Sequence, residues 1–205
     1  KYYQPIPVGK RIYIVPDWMR GRPVPEGRTP LYLNPGLTFG TGSHPTTQLC
    51  LELLEGTLRP GDRVLDLGCG SGILAIAALA LGASRAAGVD IDPKAADVAF
   101  ENAALNGIGP DRLSVYAGDV LTDKKLAERL NPGQNRVVLA NIVADVIIPL
   151  SARAGDFLAP DGVFLTSGII EGRQDEVRAA LEGNGFAVTG HRERGGWHAF
   201  LAAKP

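Results

Sequence analysis

Beyond residue 60 the chain repeats one pattern, a short apolar run followed by a longer stretch of helical character. The apolar runs at residues 64–66, 86–90, 113–117, 137–141 and 163–167 predict strands. Between them, residues 73–81 predict a buried helix stopped by Gly82, and residues 93–106 a helix with Asp92 as N-cap and proline in its first turn. A further helix is expected at residues 171–182, stopped by Gly183 and Gly185. Strands separated by helices imply right-handed crossovers and a parallel sheet. The last two runs, 186–190 and 197–202, are separated only by a polar loop at 191–196. With no room for a helix, that pair is expected to form an antiparallel hairpin. The pattern therefore predicts an α/β fold with a mostly parallel, seven-stranded, Rossmann-like sheet and an antiparallel terminal strand.

The first sixty residues read differently. Residues 11–15 alternate weakly, 31–33 form a short apolar run, and Pro16, Pro23, Pro25 and Pro30 interrupt the rest. Irregular cover with one or two short strands is expected there. A dense run of small, polar and turn residues, 34–47, then leads into a helix expected at 48–55. Such a loop at a helix N-terminus can put hydroxyls and backbone N–H groups on a ligand. The organisation expected is residues 1–58 as linker and N-terminal cover, and 59–205 as a cofactor-binding core. The opening Lys1-Tyr2-Tyr3-Gln4-Pro5, without an initiator methionine, predicts a fragment of a longer protein or a processed one.

Composition narrows the class. With 205 residues and 45% hydrophobic content the chain can bury one sizeable core. A net charge of −1 gives no general nucleic-acid footprint, so no direct nucleic-acid binding is expected. Two cysteines, Cys50 and Cys69, form neither a disulfide framework nor a metal-ligand pattern. No apolar run reaches membrane-spanning length unbroken, so a cytoplasmic protein without membrane association is expected, by default a monomer.

The chemistry concentrates at Val64-Leu65-Asp66-Leu67-Gly68-Cys69-Gly70-Ser71-Gly72, an apolar run ending in a carboxylate and three glycines at alternate positions. Glycines at Gly68, Gly70 and Gly72 let the chain turn sharply and bring bare backbone close to a ligand. Asp90 ends the next run 22 residues past Gly68, where an acid grips ribose hydroxyls. The dinucleotide fingerprint wants a third glycine where Ile73 stands. Asp66 beside the loop would repel a pyrophosphate but attract an ammonium or sulfonium. The combination favours S-adenosyl-L-methionine, leaving S-adenosyl-L-homocysteine as product, over NAD; the plainer alternative is a glycine turn without a ligand. The loop at 34–47 lacks the Gly-Lys-Ser/Thr ending of a phosphate loop, which argues against nucleotide hydrolysis.

The chain resembles a known family, the bacterial methyltransferases that modify protein eleven of the large ribosomal subunit. The resemblance rests on Phe39-Gly40-Thr41-Gly42-Ser43-His44-Pro45-Thr46-Thr47, Asp66-Leu67-Gly68-Cys69-Gly70-Ser71-Gly72, Val89-Asp90-Ile91-Asp92 and Ala140-Asn141-Ile142. It spans nearly the whole chain; Ser43 stands where threonine is more usual. It implies a class I methyltransferase acting on lysine side-chain and N-terminal amines of that ribosomal protein, with the family's N-terminal substrate-recognition domain preceding this chain. By resemblance, Thr47, Asp66, Gly68, Gly70, Gly72, Asp90, Ile91, Asp119 and Asn141 would contact the cofactor. Asn141 would also orient the target nitrogen, with the loop carrying Phe39 and Thr41 closing over the methyl group; no metal is implied. Plainer readings stand beside these: Asp119 as a helix start, Asn141 as an N-cap, His44 as a turn residue, Trp18 and Trp197 as packing anchors. Another methyl acceptor, such as a small molecule, glutamine or nucleic acid, stays open, as does a non-catalytic cofactor binder. The sequence Asn141-Ile142-Val143-Ala144 lacks the Asn-Pro-Pro-Tyr that favours planar nitrogens.

Overall fold

The computed structural model describes residues 4–35 and 42–204. Three short strands, β1 (Ile6–Val8), β2 (Ile12–Pro16) and β3 (Thr29–Leu33), precede helix α1 (Pro45–Thr57). The alternation that follows runs β4 (Arg63–Leu67), α2 (Ile73–Ala80), β5 (Arg85–Asp90), α3 (Lys94–Leu105), β6 (Leu113–Ala117) and α4 (Lys124–Arg129). It continues through β7 (Asn135–Asn141), α5 (Ala144–Phe157), β8 (Leu158–Ile170), α6 (Gln174–Gly183), β9 (Ala187–Arg194) and β10 (Trp197–Ala203). Seven strands form the main sheet in the order β6-β5-β4-β7-β8-β10-β9. Strands β4 to β8 pair in parallel, and β10 runs antiparallel to both β8 and β9. Strand order reverses between β4 and β7, the crevice where open α/β sheets take ligands.

Both faces of the central strands β4, β7 and β8 are covered, which is why those strands are largely apolar. Val64 and Leu139 face one cluster with α1, α2 and the small sheet, while Leu65 and Val138 face another with α5 and α6. Leu65, Val138, Leu139 and Phe164 are completely buried. Each such side chain contributes roughly 1.5–3 kcal/mol of hydrophobic stabilisation. The proline-rich opening adds to the first cluster through Val8, Ile12, Ile14, Leu31 and Leu33.

Several elements depart from the sequence expectation. The N-terminal segment forms three strands, with β1 antiparallel and β3 parallel to β2. Helix α1 begins at Pro45 because His44 caps it, accepting the Thr46 N–H on Nδ1, and proline suits the first helical position. Residues 191–194 belong to β9 and not to a loop: only Gly195 (φ 58°) and Gly196 (φ 77°) make the turn. Both positive φ angles match the twist of a two-residue hairpin, and β9 at the open edge tolerates polar side chains on solvent. For α3, Pro93 is already helical and the Asp92 carboxylate accepts the Lys94 N–H at 2.9 Å, the cap expected there.

Candidate functional site

The carboxyl ends of β4, β5 and β7 meet at the crevice. Leaving β4, the chain passes Gly68 (φ 79°), Gly70 (φ 49°) and Gly72 (φ 77°), all left-handed, and enters α2 with no side chain capping its first N–H groups. A Cβ at Gly68 would stand 2.6 Å from Ile142 Cγ2, and one at Gly72 2.9 Å from Ala99 Cβ. Glycine is thus required twice over, for conformation and for space. The loop is pulled onto β5 because the Gly68 and Cys69 N–H groups both donate to the Val89 carbonyl, at 2.8 and 3.0 Å.

Two acids flank this loop in opposite states. Asp66 is 1% exposed, and no donor reaches either carboxylate oxygen with full hydrogen-bond geometry. Burial pushes its pKa up to about 7, the Ala75 backbone N–H offsetting part of this and the charge on Asp90 adding to it. Asp90 is half-buried and already engaged: Oδ2 accepts the Gly70 N–H at 2.8 Å and Oδ1 the Asp92 N–H at 2.9 Å. Asp90 therefore braces the glycine loop as well as facing the crevice. Asp119 accepts the Leu121 N–H at 2.9 Å and the Thr122 hydroxyl at 3.2 Å, a turn-forming role, while its side of the crevice remains open.

Across the crevice, Asn141 ends β7 and donates through Nδ2 to Thr47 Oγ1 at 3.4 Å, joining residues 94 apart in sequence. Ser167 fixes that pairing by donating its hydroxyl to the Thr46 carbonyl at 3.0 Å. His44 is turned to structure on one ring face: Nδ1 lies 2.8 Å from Thr46 Oγ1, and the ring meets Trp197 edge-on at 5.0 Å. Both thiols are pushed up, Cys69 by burial and then by Asp66 and Asp90, Cys50 by burial and then by Asp66. They stay protonated, which leaves neither as a nucleophile.

Two cavities occupy the crevice and share Gly68 and Ile142. The larger, about 380 Å³, is walled by Thr47, Gly70, Asn141, Val143, Gly168 and Trp197. The second, about 260 Å³, is walled by Val89, Asp90, Ile91, Asp119, Val120 and Val146. Thr47, Gly68, Gly70, Asp90, Ile91, Asp119 and Asn141 are therefore brought together; Gly72 shapes the loop behind them, and Asp66 lies beneath it. Ile91 is 78% exposed beside the second cavity. Phe39 and Thr41 lie outside the described residues. Sequence reasoning missed Trp197 as a wall of the larger cavity, although a tryptophan opening the terminal strand is its only signal, and missed Gly168. That glycine (φ 86°) sits where a Cβ would come within 2.4 Å of the Ile142 carbonyl. Among the described residues no group of three or more His, Cys, Asp or Glu could hold a metal. Nor is any helix among them long and apolar enough to cross a membrane.

A mostly parallel seven-stranded sheet, an antiparallel β10 and a glycine loop at the switch point define the class I methyltransferase fold. The same fold is seen at 17% identity in an S-adenosylmethionine-dependent methyltransferase from Mesorhizobium loti, with a TM-score of 0.60 over 74% of this chain and 96% of that one. The ribosomal protein L11 methyltransferase (PrmA) family matches residues 1–205, and the chain belongs to that family, as its motifs suggested. It is 43% identical over its full length to the ribosomal protein L11 methyltransferase of Symbiobacterium thermophilum and 46% identical over 195 residues to that of Pseudomonas aeruginosa. The chain spans 64% and 62% of the length of these relatives, covering 100% and 95% of itself. A solved ribosomal protein L11 methylase from Lactobacillus delbrueckii subsp. bulgaricus superposes with a TM-score of 0.87 at 33% identity, over 99% of this chain and 100% of that one.

Proposed function

We propose that this chain is the catalytic part of an enzyme that transfers methyl groups from S-adenosylmethionine to amine nitrogens of ribosomal protein L11. Residues 59–205 form its cofactor-binding core and 1–58 the cover over it. The observation that carries the reading is a left-handed glycine loop on the wall of two joined cavities, fed by a strand that buries the Asp66 carboxylate two residues before Gly68. A buried acid without a partner is costly, and a cation bound above the loop offsets that cost. The neighbouring residues fit the rest of such a ligand. Asp90 offers acceptors for ribose hydroxyls, the apolar second cavity with Ile91 takes the adenine, and Asp119 accepts from its amino group. Gly68 and Gly70 bring backbone to the methionine part, with Thr47 and Asn141 at its far end.

Bound there, the cofactor supplies an electrophilic methyl carbon on a sulfonium. The chain's contribution is placement, since an in-line displacement gains most of its acceleration from alignment. The Asn141 carboxamide spends one N–H on Thr47 Oγ1, which orients the group and leaves its carbonyl oxygen to accept from the incoming amine and set its lone pair. A lysine with pKa near 10.4 must arrive neutral. Trp197, Val143 and Ile142 disfavour the ammonium by desolvation, and among the described residues no acidic side chain lines that cavity to retain it. The loop bearing Phe39 and Thr41 would complete the cover over the reacting carbon. A site with no dedicated base suits repeated methylation, because each round presents a different amine.

The test is incubation of the chain with methyl-labelled cofactor and recombinant L11, with mass spectrometry of the product. Methylated lysine or N-terminal amine on L11 is expected. Label on another acceptor, or cofactor binding without any transfer, would replace this reading.

A further inference from the structure

The amino ends of β4 and β5 carry a feature that methyl transfer does not use. Arg63 and Arg85 are register partners on the parallel pair, so their side chains leave the sheet on the same face. With Arg112 and Arg129 they line a groove of about 180 Å³, whose one acidic wall residue is Asp111. Arg112 directs one guanidinium nitrogen to the Leu79 and Ala83 carbonyls, at 3.1 and 2.9 Å. Arg63, Arg85 and Arg129 have no carboxylate within ion-pair distance among the described residues, and the Arg63 Nε–H is enclosed without an acceptor. On neighbouring β7 the contrast is in the ion pair alone: Arg136 and Arg59 share Asp161, at 3.1 and 2.8 Å, while Arg136 Nη1 is likewise enclosed without an acceptor. Four arginines therefore line one groove with a single carboxylate on its wall, in a chain whose net charge is −1. Like charges held together unneutralised are unfavourable, and an enclosed N–H without an acceptor adds its own cost.

We propose that this groove is an anion site that takes phosphate groups. Guanidinium forks match phosphate oxygens two at a time. The volume is below the usual range for drug-sized ligands, which suits a small polyphosphate or one phosphate projecting from a longer chain. It lies at the ends of β4 and β5 opposite to Gly68 and Asp90, so occupancy there leaves the crevice open. The ligand's phosphate comes either from a free polyphosphate or from an RNA backbone.

Calorimetric titration with pyrophosphate at fixed ionic strength tests the site, using the 205-residue chain and the Arg85→Gln/Arg129→Gln double variant. Both altered side chains are exposed and their loss relieves like-charge repulsion, so the thermal midpoint should not fall, which certifies folding. Saturable pyrophosphate binding is expected, at least about tenfold weaker in the variant, the loss of charge-assisted contacts. Arg63→Lys, which keeps the charge but loses the fork, should weaken it as well. A short single-stranded oligouridylate is the second arm. Competition with pyrophosphate and dependence on the same arginines would assign the RNA backbone as source; pyrophosphate binding without RNA binding would assign a free polyphosphate. Equal binding by chain and double variant, or no saturable binding of either probe, overturns the proposal.

Discussion

Asp66 holds a carboxylate buried from the surface where no donor of full hydrogen-bond geometry reaches it, and two consequences follow for pH. Its folded-state pKa, raised to about 7 from 3.8, means the folded chain holds a proton that the unfolded chain releases above pH 4. Stability from this group is therefore fully present below about pH 4 and falls as pH rises through 7. A cation bound above the loop expels that proton, so S-adenosylmethionine should bind more tightly from pH 6 to 8 and release protons as it does. Calorimetry in two buffers of different ionisation heat measures the release, and Asp66→Asn should abolish the part due to this residue. Identical proton counts for both proteins would remove Asp66 from the cofactor's surroundings. Asp90 is a different case, because its oxygens brace the glycine loop as well as face the crevice. Asp90→Ala should weaken cofactor binding by about 10- to 100-fold, the loss of one or two charge-assisted hydrogen bonds. Asn141→Ala should instead lower kcat by about 100-fold with little change in cofactor affinity, as expected of a group that orients the nucleophile. A variant that loses affinity and keeps kcat would make Asn141 a cofactor ligand alone.

At the level of elements, the glycine loop depends on the helices packed against it. Gly72 combines a left-handed φ with a forbidden Cβ position against Ala99 of α3, so Gly72→Ala must either move α3 or unwind the start of α2. A cost of about 2–3 kcal/mol is expected, read as a fall of about 5–10 °C in the thermal midpoint. An unchanged midpoint would show that α3 yields freely. These elements were the readable part of the sequence: continuous apolar runs, Gly82 as a stop and Asp92-Pro93 as a start each specify structure through neighbours a few residues away. The crevice was readable for the same reason on the side of Asp66, Gly68 and Asp90, where one strand–loop–helix unit carries the residues. What resisted reading depends on distant partners. Trp197 walls the larger cavity only because β10 inserts between β8 and β9, and Gly168 is needed only because β8 crosses the Ile142 carbonyl. The polar run 191–194 looked like a loop because an edge strand facing solvent has no apolar face to display. In the N-terminal segment the runs at 11–15 and 31–33 became β2 and β3, while β1 stayed unread because its pairing with β2 supplies what its proline-flanked local pattern lacks.

For the whole molecule, the division of labour follows from where the recognition surface must lie. On the function proposed, the described crevice would meet a nucleoside sulfonium with both cavities, the loop, Asp90 and the Asn141–Thr47 pair, all held within one core. Selecting particular amines on a folded protein needs a second, extended contact, because a lysine tip alone offers one nitrogen and four methylenes to discriminate. The relatives at 43% and 46% identity are longer than this chain, which spans 64% and 62% of them. If the additional third carries the docking surface, a protein extended to the relatives' length should bind the cofactor as tightly as the 205-residue chain. It should nonetheless methylate L11 with a much higher kcat/KM, by about 100-fold or more if docking contributes a few kcal/mol to the transition state. Short peptides bearing the target lysine should be methylated at nearly the same low rate by both, since neither can use the docking contact on them. Equal kcat/KM on intact L11 would place the selection of amines inside this chain, with the walls of the larger cavity as the surface that reads them.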